Sequence, residues 1–166
     1  MSLNVHKFAA IRGRQSGDDY YTVVCEMATI PRLFLFNEAT IPTELRAQRH
    51  INKSRIPEMA KYIVDNPKNY IFSALTASID GKIEFNPLKI NGKDSEVGEL
   101  EIAGDAKLMI NDGQHRRAAI EKALTENPDL AKDSVAVVFF KDKRLKKSQQ
   151  MFSDLNRHAI RPSTSI

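Results

Sequence analysis

The chain has 166 residues, 42% of them hydrophobic, and its 25 basic and 21 acidic residues give a formal net charge of +4. This length and apolar content suit one folded domain and exclude global disorder, whereas the small positive excess permits nucleic-acid or nucleotide binding without requiring it. The single cysteine, Cys25, excludes an internal disulfide and a cysteine-based zinc site. Because it lies in the apolar run "YYTVVCEM", we expect a buried, inert thiol.

No apolar run approaches the roughly 18 residues of a membrane span, and the first residues lack the apolar core of a signal peptide. The sequence therefore predicts a soluble, cytoplasmic protein with no membrane partner. The chain stops at "RHAIRPSTSI", directly after a motif-like segment and without a polar tail. We therefore expect a single domain over residues 1–166 that is truncated at its C-terminus.

The first half of the chain predicts two strands followed by a helix. "YYTVVCEM" is rich in β-forming residues, and "RLFLFN", after Pro31, is typical of a second short or edge strand. "PTELRAQRHINKSRIPEMAKYIVDNP" is mostly helical, with Pro57 suited to a first turn and Asn66-Pro67 to a stop. The apolar residues of this helix fall on one face, at Ile56, Met59, Ala60, Ile63 and Val64.

The next stretch predicts short strands joined by turns. "YIFSALTASI" and "KIEF" are strands on either side of a turn at Asp80-Gly81. "NGKDSEVG" is a polar loop. "ELEIA" and "KLMI" are strands that flank Gly104-Asp105, which we interpret as another hairpin turn.

The last part of the chain alternates helix and strand. A helix from about Gln114 to Leu124 has small side chains on one side, which suits packing on a sheet. "SVAVVFF", residues 134–140, is a nearly continuous apolar run, typical of a strand buried on both faces. The final helix, "KRLKKSQQMFSDLNRHA", has an inner stripe made of Leu145, Ser148, Phe152 and Leu155. This order of elements predicts a mixed α/β or α+β domain.

The segment "DGQHR", residues 112–116, joins a predicted strand to a predicted helix. The start of a helix offers free N–H groups and the positive end of the helix dipole, which attract phosphates. Gly113 would allow a tight turn, Arg116 or Arg117 could bind phosphate oxygens, and His115 could donate to the same anion. Asp112 could cap the helix, hold a metal or hold the arginine. The alternative is a capped helix with a solvated first turn, and the residues alone leave both open.

Three other clusters could bind anions, and each also has a purely structural explanation. Asn156, Arg157, His158 and Arg161 end the last helix, where basic residues suit the helix dipole. Each of the other two clusters is either a solvated helix face or a set of DNA phosphate contacts. One cluster comprises Arg46, Arg49, His50, Lys53 and Arg55, and the other comprises Lys143, Arg144, Lys146 and Lys147. The four histidines lack metal-ligand spacing, so we expect no metal site.

"INDGQHRRAAIEKAL" resembles the signature of DGQHR-domain proteins, which are similar to the wider ParB/sulfiredoxin fold. Together with "RAQRHINKSRIPEMAKYI" upstream and "QQMFSDLNRHAIRPSTS" downstream, it resembles the DndB family, which is associated with DNA phosphorothioation. Members of that family are longer than this chain, which fits the expected truncation.

The resemblance implies an α+β fold, a ParB/sulfiredoxin-like mixed sheet with packed helices. It also implies a phosphate- or nucleotide-binding pocket formed by Gly113, His115 and Arg116, together with Asn156 and Arg157 from a later helix. Asp112 and Gln114 of the same motif are further candidates for this pocket. Members act as transcriptional repressors of their own modification cluster, so the resemblance implies DNA as a partner. Nucleotides and other DNA modification proteins are further expected partners.

The chain departs from sulfiredoxin at one decisive position. Gln114 stands where sulfiredoxin needs its cysteine, which excludes reduction of a sulfinic acid at this turn. A nuclease of the ParB type lacks support as well, because no second carboxylate cluster could hold a metal pair.

Three hypotheses follow from the sequence. The first is a DNA-binding transcriptional regulator of a DNA sulfur modification gene cluster. The second is an NTPase of a modification or defence system, which would use a nucleoside triphosphate with Mg²⁺, Arg116 for the γ-phosphate charge, Gln114 or His115 to position water, and Asp112 for the metal. The third is a structural module whose motif only caps a helix.

Overall fold

The computed structural model of the chain describes residues 4–34 and 55–142. The strands are β1 (Val5–Gln15), β2 (Asp18–Glu26), β3 (Leu75–Asp80), β4 (Ile83–Ile90), β5 (Lys93–Ala103), β6 (Lys107–Asp112) and β7 (Ser134–Lys141). The helices are α1 (Ile30–Leu33), α2 (Arg55–Asp65) and α3 (Gln114–Glu126), with a 3-10 helix at Pro128–Lys132. The strands form one seven-stranded sheet of order β4-β5-β1-β2-β7-β3-β6. All pairings are antiparallel except that of β3 with β7, so the fold is α+β with a mixed sheet, as predicted.

The main core lies on one face of this sheet. In the centre of the sheet, alternate residues of β7 point into the core, because side chains along a strand alternate between faces; these are Val135, Val137 and Phe139. Leu33 of α1 and Ile120 of α3 pack against them. A smaller cluster joins α2 to α3 through Ala60, Ile63 and Ala123, which are almost completely buried. Two members of the predicted stripe of α2 therefore carry this contact.

Cys25 lies in β2 and is 2% exposed, so the predicted buried thiol is confirmed. Burial raises the pKa of this thiol to about 11, which keeps it protonated and unreactive near neutral pH. Among the described helices, none is long and apolar enough to cross a membrane.

The prediction of a strand at "RLFLFN" is wrong for the residues that the structure describes. Ile30–Leu33 is a short helix, and Pro31 occupies its first turn, where a missing N–H costs nothing. Phe34 follows it and is 2% exposed. Apolar content alone does not separate a short buried helix from a strand.

Two predictions about turns are also wrong. The polar loop "NGKDSEVG" is a tight turn at Asn91-Gly92, both with positive φ, followed directly by β5; Asn-Gly is the residue pair that such hairpin turns favour. The strands around Gly104 exist, but β5 pairs with β1 and β4, whereas β6 pairs with β3 at the far edge. Gly104 instead lies against the carbonyl of Asn4, where a Cβ would not fit.

Candidate phosphate-binding site

The DGQHR segment forms a sharp turn from the edge strand β6 into α3. Gly113 is the N-cap of α3, with φ 109° and ψ 20°, and its carbonyl accepts the first helical hydrogen bond from Arg117 N at 2.8 Å. Asp112 therefore does not cap this helix, which was one of the three roles considered for it. No side chain caps this helix start, and the positive end of the helix dipole there favours an anion.

Gly113 is required by crowding as well as by its backbone conformation. A Cβ at this position would lie 2.5 Å from Leu75 Cδ2 and 3.1 Å from Arg116 Nη2. The absent side chain thus lets Arg116 fold back over the turn.

Arg116 is held in place from two sides. Its Nη2 donates to the carbonyl oxygen of Ala74 at 3.0 Å and to Asp112 Oδ2 at 3.3 Å. Asp112 therefore holds the arginine, one of the three roles considered for it. The Arg116 Nε is buried and has no hydrogen-bond partner among the described residues. The side chain as a whole is 21% exposed, so a fixed, partly accessible positive charge lies beside the helix start.

Arg117 belongs to the interior and is not available to an anion. Its Nε donates to Phe34 O at 2.6 Å, its Nη1 donates to Glu121 Oε2 at 2.7 Å, and it is 7% exposed. The sequence left Arg116 and Arg117 as alternatives for phosphate binding. The structure favours Arg116, because Arg117 links α3 to the end of α1.

His115 and Arg55 complete what we call the basic cluster, which consists of Arg55, His115 and Arg116. Burial and the charges of Arg55 and Arg116 lower the pKa of His115. Arg55 is the first residue of α2 and His115 is the second residue of α3, while Ala60 and Ile63 of α2 pack against Ala123 near the end of α3. The two helices therefore run in the same direction and bring their positive ends together.

The lowered pKa of His115 predicts a pH dependence of stability. The pKa of His115 in the folded protein lies below the ordinary 6.5, so the unfolded chain binds more protons than the folded one. Stability is therefore lost as pH falls below the ordinary pKa of 6.5. We expect the melting temperature to fall between about pH 7.5 and about pH 5, and His115→Gln to reduce that fall. Thermal melts monitored by circular dichroism measure it, with His6→Gln, at an exposed position in β1, as the control. An equal fall in His115→Gln would contradict the assignment.

Gln114 faces back toward the strand. Its Nε2 donates to Ile110 O at 3.1 Å and the residue is half-buried. It thereby fixes the turn between β6 and α3. Gln114 carries no thiol, which sulfiredoxin chemistry would need at this position.

Most residues of the other predicted clusters lie outside the described residues. These are Arg46, Arg49, His50, Lys53, Lys143, Arg144, Lys146, Lys147, Asn156, Arg157, His158 and Arg161. Arg55 is the one described member of the upstream cluster, and its charge helps to lower the pKa of His115 in the DGQHR turn. The roles predicted for the residues outside the described ranges remain predictions.

Sequence reasoning missed two features, one at the site and one in the strand that leads into it. One is the carbonyl of Ala74, a backbone acceptor for which the sequence carries no signal. The other is Asn111, whose Nδ2 donates to Ser78 Oγ at 2.6 Å in the interior. An asparagine within the apolar run "KLMIND" was a visible signal, because a buried amide needs hydrogen-bond partners.

Comparison with known proteins gives one match. The family model of DndB, described as DNA-sulfur modification-associated, matches residues 8–166. No curated protein and no solved structure matches the chain. The matched range includes the whole basic cluster and residues 35–54 and 143–166, which lie outside the described residues.

Proposed function

Because the chain belongs to the DndB family, which is DNA-sulfur modification-associated, we propose that it is a DNA-binding regulator of a DNA sulfur modification gene cluster. We propose further that its basic cluster binds a phosphate of the DNA or of a nucleotide. The observation that carries the second proposal is the N-terminus of α3, which no side chain caps, with Arg116 held over the turn and the charge of Arg55 acting on His115.

Charge and geometry support a phosphate as the ligand. Arg55 has no ion pair among the described residues, and the Arg116 Nε lacks a hydrogen-bond partner there. A guanidinium beside a helix start that no side chain caps offers several donors to an oxyanion. An anion bound beside His115 would raise its lowered pKa, so affinity is expected to rise as pH falls. Contacts of this type position DNA without reading its sequence.

The remaining basic residues could extend such a surface. Arg46, Arg49 and Lys53 precede Arg55 in the chain, and a further group follows β7; that group comprises Lys143, Arg144, Lys146 and Lys147. In this proposal Asn156 and Arg157 complete the pocket. Other proteins of the modification system are proposed partners.

Salt titration of DNA binding tests the proposal. We expect Arg55→Ala to weaken binding to all sequences alike and to reduce the slope of log affinity against log salt by about 1, because one phosphate contact is lost. Fluorescence anisotropy with operator DNA of the chain's own gene cluster and with unrelated DNA measures the affinity and its salt slope. Lys61→Ala is the matched control, since Lys61 lies on the same helix and pairs with Asp65 at 3.1 Å.

Two results would contradict the proposal. Absence of any DNA binding at low salt removes the regulator function. An unchanged slope in Arg55→Ala, with binding otherwise intact, removes the basic cluster from the interface. Arg116→Lys serves as a second variant, because it keeps the charge and loses the planar fork.

Assays of nucleotide binding and phosphate release on the same protein variants distinguish nucleotide binding from hydrolysis. An NTPase would release phosphate from ATP or GTP in the presence of Mg²⁺, and Arg116→Ala would abolish that release. Nucleotide binding without release supports a regulatory ligand. If neither binding nor release occurs, DNA remains the proposed source of the phosphate.

A further inference from the structure

The hairpin of β4 and β5 extends beyond the strand that holds it in the sheet. β1 pairs with β5 only as far as Ile11 and Val97, and β4 is an edge strand of the described sheet. Residues 88–96, which we call the arm, therefore form a two-stranded ribbon that no third described strand supports. Since an isolated ribbon of two strands is marginally stable in water, the conformation of the arm depends on contacts of its own.

A hydrogen-bonded bulge sets the direction of the arm. The register of the hairpin shifts between Pro87 and Lys89. At this bulge, Ser95 Oγ donates to Leu88 O at 2.7 Å and accepts from Val97 N at 3.3 Å. A bulge bends a ribbon and increases its twist, so the arm leaves the direction of the sheet here.

The charges of the arm are paired except for one lysine. Asp94 accepts a hydrogen bond from Lys89 Nζ at 2.7 Å, and Glu96 accepts one from Arg12 Nε of β1 at 2.8 Å. Both carboxylates of the arm are thus neutralised, and the second pair also anchors the base of the arm to β1. Lys93 is exposed and forms no ion pair with the described residues. The uncompensated charge of the arm is therefore positive.

One face of the arm combines this lysine with two large apolar side chains. Ile90 is the Cα partner of Lys93, so the two side chains project from the same face, and Leu88 lies two residues before Ile90 along the strand. Leu88 is 60% exposed and Ile90 is 57% exposed. An exposed apolar pair beside an unpaired cation suits a partner that is anionic and also offers apolar groups.

We propose that the arm enters the minor groove of bound DNA, where Leu88 and Ile90 wedge against the bases and Lys93 contacts a phosphate. This inference rests on the proposed DNA binding and adds a contact apart from the basic cluster. Two-stranded ribbons are known to enter the grooves of DNA, and apolar side chains can wedge between base steps in the minor groove. Because this face carries no amide or guanidinium that would read base edges in the major groove, a wedge is the contact that its side chains favour.

Charge favours DNA over a second copy of the chain as the partner of this face. In a symmetric dimer the same patch meets itself, so the two Lys93 side chains would approach each other. Like charges that meet across an interface are unfavourable. DNA has no such cost, because Lys93 would replace a counterion at a phosphate.

DNA bending and affinity, measured with the full 166-residue chain, test the inference. Operator DNA of the chain's own gene cluster carries a fluorescence donor at one end and an acceptor at the other. A wedge bends DNA by about 20–90°, so we expect the wild-type protein to raise energy transfer between the ends. We expect Leu88→Ala combined with Ile90→Ala to lose this rise at saturating protein and to weaken binding about tenfold. Val24→Ala shortens another exposed aliphatic side chain and is the matched control, expected to behave as the wild type.

Three other outcomes would overturn the inference. Unbent DNA in the wild-type complex, or wild-type affinity in the double variant, would remove the wedge and leave the proposed DNA binding intact. Absence of DNA binding by the wild type would instead remove the proposed function and the wedge together. A dimer in sedimentation without DNA that the double variant converts to a monomer would assign the arm to a second copy. Should the double variant fail to fold, Ile90→Thr repeats the test, because threonine keeps the β-branched shape that suits a strand.

Discussion

Replacing Arg117 by alanine is expected to lower the free energy of unfolding by about 3 kcal/mol, because a buried guanidinium and its apolar stem are lost together. Arg117 Nε donates to the carbonyl of Phe34, a residue that is 2% exposed. Without that donor the Phe34 carbonyl would be left buried and unsatisfied. The Glu121 carboxylate is more than half exposed and would return to water. Urea unfolding followed by circular dichroism measures the loss.

Two variants make this prediction specific. Arg117→Lys keeps the charge but loses the fork that reaches Phe34 and Glu121, so we expect an intermediate loss. Lys122→Ala, on the same helix and ion-paired at the surface with Glu126, is expected to change stability by less than about 0.5 kcal/mol. If Arg117→Ala were as stable as Lys122→Ala, the link between α3 and α1 would contribute nothing.

The sequence predicted those elements whose pattern is local. Apolar periodicity identified α2, and the apolar run of β7 identified the central strand. β1 was missed, since "VHKFAAIRGRQ" mixes charged residues with short apolar ones and has no clear alternation. Strand partners were not predictable, because the pairing of β5 with β1, across most of the chain length, depends on tertiary packing and leaves no local signal.

The candidate site also has some features that the sequence could predict and others that it could not. The position of the turn and the need for glycine at Gly113 follow from the residue order. The sequence could not assign separate roles to Arg116 and Arg117, because consecutive helical residues point about 100° apart and the helix faces were unknown. The nearness of Arg55 to His115 depends on two helices that are distant in sequence lying parallel. Only the folded arrangement contains that information.

Replacing Gly113 by alanine is expected to lower the free energy of unfolding by about 3 kcal/mol, from two separate causes. A positive φ disfavours any residue with a Cβ, and here φ is 109°. In addition, the new Cβ would lie 2.5 Å from Leu75 Cδ2, at the start of β3. Since Leu75 is fully buried, it can move only by disturbing the core. Thermal and urea unfolding measure the sum of the two effects.

Gly92→Ala separates the two causes. Gly92 also has a positive φ, 74°, but no atom lies within 4 Å of its Cβ position, so we expect a loss of only about 1 kcal/mol. The excess in Gly113→Ala then measures the crowding at the turn. Because Arg116 Nη2 lies 3.1 Å from the same Cβ position, displacement of this arginine should also weaken phosphate binding in the folded variant. Equal losses in the two variants would show that crowding at the DGQHR turn is negligible. Full DNA affinity in Gly113→Ala would separate the turn from the proposed phosphate site.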